Sequence, residues 1–181
     1  MGKNPVTLTA PTPEATREIA RFLSEGLRDG DTVVLQGELG AGKSEFARGI
    51  ARGLGYDGPI PSPSFTILNE YEGGRLALHH FDWYRIADSG ELYESGLDEY
   101  IGGMGVCVIE WSERAPDLLP ENRIVVTLTP IENNARLIRM ETYGDIRLPD
   151  TLPRPGDGAA FGDEGNADRK LENERGIEIR R

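Results

Sequence analysis

The sequence predicts an α/β fold in three layers, a central mixed sheet flanked by helices, and two observations carry that expectation. The first is Gly37-Glu38-Leu39-Gly40-Ala41-Gly42-Lys43-Ser44, which fits G-x-x-x-x-G-K-S/T in full and follows the apolar run Val33-Val34-Leu35. The second is Val106-Cys107-Val108-Ile109, an uninterrupted apolar run of the kind that central parallel strands need because both their faces are covered. Glycines let a backbone wrap a phosphate with successive N–H groups pointing inward, and the helix that follows adds its positive N-terminus. The chain therefore reads as a P-loop nucleotide binder.

In chain order, Thr12-Pro13-Glu14 supplies an N-cap, a first-turn proline and an acid that suits the helix dipole, and Ile19, Phe22, Leu23 and Leu27 share one face. A helix of roughly 15 residues ending near Gly30 follows from that spacing. A buried strand is predicted over Thr32–Gln36, and a helix over residues 44–54 with Phe46, Ile50 and Leu54 inward. Pro59, Pro61 and Pro63 forbid helix and lead into a strand over residues 65–71. Glu72-Gly73-Gly74 turns the chain back through residues 75–81. One or two short helices over residues 89–100 precede a strand over residues 105–110 that ends in a carboxylate. Residues 124–128 and 136–141 pair as a second hairpin around Asn133-Asn134. From about Pro149 the chain turns rich in Pro, Gly and Asp, with Phe161 its only aromatic up to Arg169. The expectation is a P-loop domain over residues 1–148 and a disordered tail over 149–181, with at most a frayed helix at 169–175.

Thirty-one acidic against twenty basic side chains give a formal net charge of −11, which repels polyanions and disfavours unaided binding to nucleic acid or an anionic membrane. Any role near RNA runs through a partner protein. Apolar runs of only a few residues exclude a membrane-spanning helix. The N-terminus lacks a signal-peptide pattern and Cys107 is the single cysteine, so a reducing cytoplasm is the expected compartment.

Lys43 is the only lysine between Lys3 and Lys170, a slim point charge where a phosphate cradle needs one, able to reach the β- and γ-phosphates of a nucleotide. Ser44 can ligate Mg²⁺, and the metal shell then calls for an acid at the end of a neighbouring strand. Glu110 and Asp82 both qualify. Ser62-Pro63-Ser64-Phe65-Thr66 stands where nucleotide switches place a hydroxyl that senses the γ-phosphate. His79 and His80 alternate in a strand, so one is expected to face in and one out, in structural roles. Trp83, Tyr84 and Trp111 follow the two carboxylates directly, as core or as a partner surface.

Four blocks in register, Gly37 to Ser44, Ser62-Pro63-Ser64-Phe65-Thr66, His80-Phe81-Asp82-Trp83-Tyr84-Arg85 and Glu110-Trp111, closely resemble the bacterial tRNA threonylcarbamoyladenosine biosynthesis ATPase family (TsaE). The resemblance implies a small P-loop ATPase that works with the TsaB and TsaD proteins, which transfer a threonylcarbamoyl group to adenosine 37 of certain tRNAs. It implies that Ser44 and Glu110 ligate Mg²⁺, that Ser62, Ser64 and Thr66 belong to a switch, and that Asp82 is in the active site. Glu14 and the turn near Ala135 become candidates for adenine contacts. Glu45 departs from the family's frequent second threonine, putting a negative charge near the phosphates with a weaker nucleotide affinity as the expected result. Ser64 replaces a common threonine, and the tail after Pro149 has no counterpart.

The reading is an Mg²⁺-dependent ATPase with Lys43, Asp82 and Glu110 at the chemistry, residues 37–45 cradling the nucleotide, and tRNA reached only through the complex. A small-molecule kinase using Asp82 and Arg85, or a nucleotide-gated binding module, are the alternatives. A signalling GTPase is excluded by the lack of a lysine for N-K-x-D.

Overall fold

The computed structural model describes residues 3–150 and residue 152. Its elements are β1 (Lys3–Ala10), α1 (Pro13–Glu25), β2 (Thr32–Gln36), α2 (Lys43–Gly53), β3 (Leu68–Tyr71), β4 (Leu78–Asp82), α3 (Ser89–Glu94), β5 (Val106–Glu110), β6 (Arg123–Pro130) and β7 (Arg136–Tyr143), with short 3₁₀ turns between them. The strands form one seven-stranded sheet in the order β1-β7-β6-β2-β5-β4-β3. β2 runs parallel to both β5 and β6, and β4 parallel to β5. The pairs β1/β7, β6/β7 and β3/β4 are antiparallel, so the sheet is mixed as expected.

Larger apolar packing covers the face on which α1 and α2 lie, where Ile19, Leu23, Phe46 and Ile50 meet Val33, Leu35, Val108 and Val126. Alternation along β4 and β5 sends Phe81, Cys107 and Ile109 to the other face, into a smaller cluster with Trp83 and Leu92. The cover on that side is thin: α3 has only six residues, and 3₁₀ turns supply the rest.

Several boundaries differ from the sequence reading, each for a local reason. Helix α1 starts as expected, with Thr12 Oγ1 accepting from Ala15 N at 3.2 Å, but ends at Glu25. Leu27 continues the apolar spacing and is buried, yet a turn closed by Arg28 N donating to Asp31 Oδ2 (2.7 Å) already leads towards β2. Strand β3 begins at Leu68 instead of Phe65 because Ile67 takes a left-handed φ of 67°. The return to β4 is a longer loop than a tight turn, pinned where Arg75 N donates to Leu54 O at 2.6 Å. The sequence reading places no strand at β1, although Val6, Leu8 and Ala10 alternate with Thr7 and Thr9 as a half-buried strand requires. Pro5 interrupts the strand, and the register with β7 shifts between Lys3 and Val6, which an edge strand tolerates.

Leu152 is 5 % exposed and belongs to the larger core. The remainder of the expected tail beyond it, and the helix expected at 169–175, lie outside the described residues. Among the described residues no helix is long and apolar enough to cross a membrane.

Candidate functional site

The loop between β2 and α2 needs its glycines at two positions. Gly37 has φ 143°, and a Cβ there would lie 2.5 Å from Leu128 O; Gly42 caps α2 with φ 108°. Lys43 opens α2 and folds back, its Nζ donating to Gly37 O (2.6 Å) and Glu38 O (3.0 Å) and lying 4.3 Å from the Trp111 ring centroid. Burial pushes the Lys43 ammonium below its ordinary pKa, against the opposing pull of Glu110, Asp82 and Glu113.

Two parallel strands aim their last residues at this lysine. Asp82 and Glu110 are register partners across β4 and β5, 4 % and 3 % exposed. Asp82 Oδ2 accepts from Ser64 Oγ at 2.6 Å, and Asp82 Oδ1 from Tyr84 N at 3.0 Å. Ser62 Oγ lies 2.9 Å from Ser64 Oγ, so a hydroxyl relay leads from the proline-stiffened loop to the Asp82 carboxylate. Glu110 Oε1 is 2.9 Å from His80 Nε2. A carboxylate oxygen can only accept here, which assigns the proton to Nε2, while His80 Nδ1 is buried with no partner among the described residues. The expectation that one of His79 and His80 faces out fails: both are buried, because β4 is covered on both sides. His79 stacks edge-on against Tyr100, ring centroids 4.9 Å apart.

A cavity of about 520 Å³ is lined by Leu39, Gly40, Gly42, Lys43, Ser44, Glu45, Ser62, Ser64, Asp82 and Glu110, together with Pro13, Tyr84, Arg85, Trp111 and Arg136. That size falls in the range of small-molecule sites. Gly37, Glu38 and Ala41 serve the loop through backbone groups: Ala41 N donates to Glu38 O at 3.1 Å. Thr66 is not part of this wall; its hydroxyl donates to Asn69 Oδ1 at 2.7 Å, outside the cavity. Trp83 is fully buried against Phe81 and so offers no partner surface, whereas Tyr84 is half exposed and faces Trp111 at 4.9 Å.

Glu45 does not stand as a bare charge. Arg17 of α1 and Arg48 of α2 each donate to one of its two carboxylate oxygens. Glu14 pairs with the same Arg17 at 2.5 Å. Sequence reasoning missed Arg136, whose Nε donates to Ala41 O at 3.4 Å, and the His80–Glu110 contact. Neither belongs to a local pattern; the cues were that His80 and Glu110 lie within two of the motif blocks and that Arg136 follows the turn at Ala135.

The donor set suits Mg²⁺. Ser44 Oγ with the Glu110 or Asp82 carboxylate is an all-oxygen, partial shell, and Mg²⁺ is commonly held by one or two carboxylates plus phosphate oxygens. Among the described residues no cluster of three His, Cys, Asp or Glu forms a closed metal cage.

A family profile described as "Threonylcarbamoyl adenosine biosynthesis protein TsaE" matches residues 10–138. The tRNA threonylcarbamoyladenosine biosynthesis protein TsaE of Bacillus subtilis is 40 % identical over 133 residues, covering 74 % of this chain and 83 % of that protein. Its namesake from Treponema pallidum is 46 % identical over 112 residues, covering 62 % and 82 %. The crystal structure of Bacillus subtilis YdiB superposes with a TM-score of 0.68 at 35 % identity, covering 78 % of this chain and 87 % of that one. Matched over most of its folded length, from the end of β1 into β7, the chain belongs to the TsaE family of threonylcarbamoyl adenosine biosynthesis proteins.

Proposed function

We propose that this chain is an Mg²⁺-dependent ATPase of the tRNA N6-threonylcarbamoyladenosine (position 37) machinery, working in the cytoplasm. Its ATP binding and hydrolysis regulate or reset the TsaB–TsaD complex, and tRNA is met only through that complex. One observation supports this reading above others: Lys43 and Ser44 face the paired carboxylates Asp82 and Glu110 across a single cavity, in a chain of the TsaE family.

In this mechanism the loop amides and Lys43 take the phosphates, with Nζ exchanging the Gly37 and Glu38 carbonyls for phosphate oxygens. Ser44 and Glu110 would hold Mg²⁺, and the metal would supply neutralisation of negative charge on the phosphates. His80 fixes one Glu110 oxygen, so the carboxylate keeps a set orientation. Asp82, with Ser64 hydrogen-bonded to it, orients the attacking water. Neither strand supplies a histidine free to act as base, since His80 is engaged by Glu110 and His79 lies on the other face. Turnover by the chain alone is therefore slow.

Measuring phosphate release with and without the TsaB–TsaD pair tests this. The pair is expected to raise the rate at least severalfold. An isolated chain that already turns over as fast as the mixture contradicts the reading.

A further inference from the structure

Glu45 occupies the first turn of α2, two residues after Lys43, and lines the cavity that Lys43 and Ser44 line. A carboxylate there favours the helix dipole but opposes a polyanionic ligand at the same helix N-terminus. Its side chain also lines an adjoining cavity of about 330 Å³ walled by Arg17, Arg48, Arg52 and Ile60. Both carboxylate oxygens are engaged, Oε2 by Arg17 from α1 and Oε1 by Arg48 from the next turn of α2. Arg48 is itself anchored, its Nε donating to Ile60 O at 3.1 Å, and Arg17 also holds Glu14 at 2.5 Å. The two arginines draw the Glu45 carboxylate towards the adjoining cavity and oppose its charge with two of their own.

Resting on the proposal that this site takes ATP, we infer that Arg17 is a positioning residue of the nucleotide site: acting through Glu45, it cancels and holds aside the one negative charge on the phosphate-loop helix. Arg17 touches the ligand only by way of that carboxylate. Its contribution therefore exists only while Glu45 is present, and it grows with the number of phosphates on the ligand. This also reduces, without abolishing, the affinity loss that Glu45 implies when read from the sequence alone.

A double-mutant cycle read by calorimetric titration with ATP, ADP and AMP tests this in the full chain. Arg17→Met is expected to weaken ATP by about tenfold, ADP less and AMP hardly at all. Arg17→Lys, which keeps the charge, recovers most of the loss. Glu45→Thr tightens ATP by about threefold, and in its background Arg17→Met changes ATP affinity by less than about twofold. Thermal melts of each variant report on folding. Glu45→Gln, which leaves α1 untouched, must show the same tightening that rises from AMP to ATP. An equal Arg17→Met loss in both backgrounds, no loss in either, or an effect of Glu45→Gln indifferent to phosphate number overturns the inference. A wild-type chain that binds no ATP instead removes the function on which it rests.

Discussion

Asp82 and Glu110 stand side by side as register partners on β4 and β5, yet each is held by a different donor, Asp82 by the Ser64 hydroxyl and Glu110 by the His80 imidazole. Two buried carboxylates in one wall would repel. Separate donors orient the two carboxylates independently and give them separate tasks.

That division predicts unlike outcomes for isosteric neutralisation. Glu110→Gln should abolish the Mg²⁺ dependence of ATP binding while leaving metal-free affinity within a fewfold, and lower hydrolysis by about 10²-fold or more. Asp82→Asn should lower hydrolysis by a similar factor with the Mg²⁺ dependence retained. Titrations with and without Mg²⁺, beside single-turnover rates, separate the two; identical profiles for both variants would remove the assignment of roles.

His80→Phe leaves the nearly buried Glu110 carboxylate without its donor. A stability loss of about 1–3 kcal/mol is expected, measured as a lower urea midpoint with unchanged slope. His80→Gln, which keeps an N–H donor, should recover part of it. Equal losses for both would mean that packing, not the hydrogen bond, accounts for the effect.

Burial holds the His79 pKa below its usual 6.5, with Glu70 and Glu72 pulling the other way. Below pH 6.5 the unfolded chain takes up this proton before the folded one, so the unfolded state binds more protons there. The His79 contribution is thus fully present above pH 6.5 and is lost as pH falls from 6.5 through the depressed folded value. Urea unfolding from pH 8 to 5 should show that decline, and His79→Phe, which keeps the contact with Tyr100, should flatten it. The same slope in the variant assigns the decline to other groups.

The fold was legible wherever consecutive residues carried the signal. The eight-residue phosphate loop, the oily β5 and the hairpin of β6 and β7 all declare themselves locally, and they fix the centre of the sheet. Acids at the ends of β4 and β5 were readable for the same reason. What escaped was built by contacts between distant positions. Arg17 reaches Glu45 across 28 residues, His80 reaches Glu110 across 30, and Arg136 reaches the loop carbonyl of Ala41 across 95. β1 was legible in the alternation of Val6, Leu8 and Ala10 with Thr7 and Thr9 but is interrupted by Pro5 at its start, where its register with β7 shifts.

Lys43 binds the two carbonyls of its own loop and lies beside both carboxylates, so it is the side chain on which the whole site converges. The most direct measurement is calorimetric titration of the chain with ATP in the presence of Mg²⁺, repeated on Lys43→Ala. The account predicts saturable heat at one site for the wild type and a loss of affinity of at least about 10²-fold for the variant. Wild-type protein that gives no heat, or a variant that binds ATP as tightly as wild type, would contradict it.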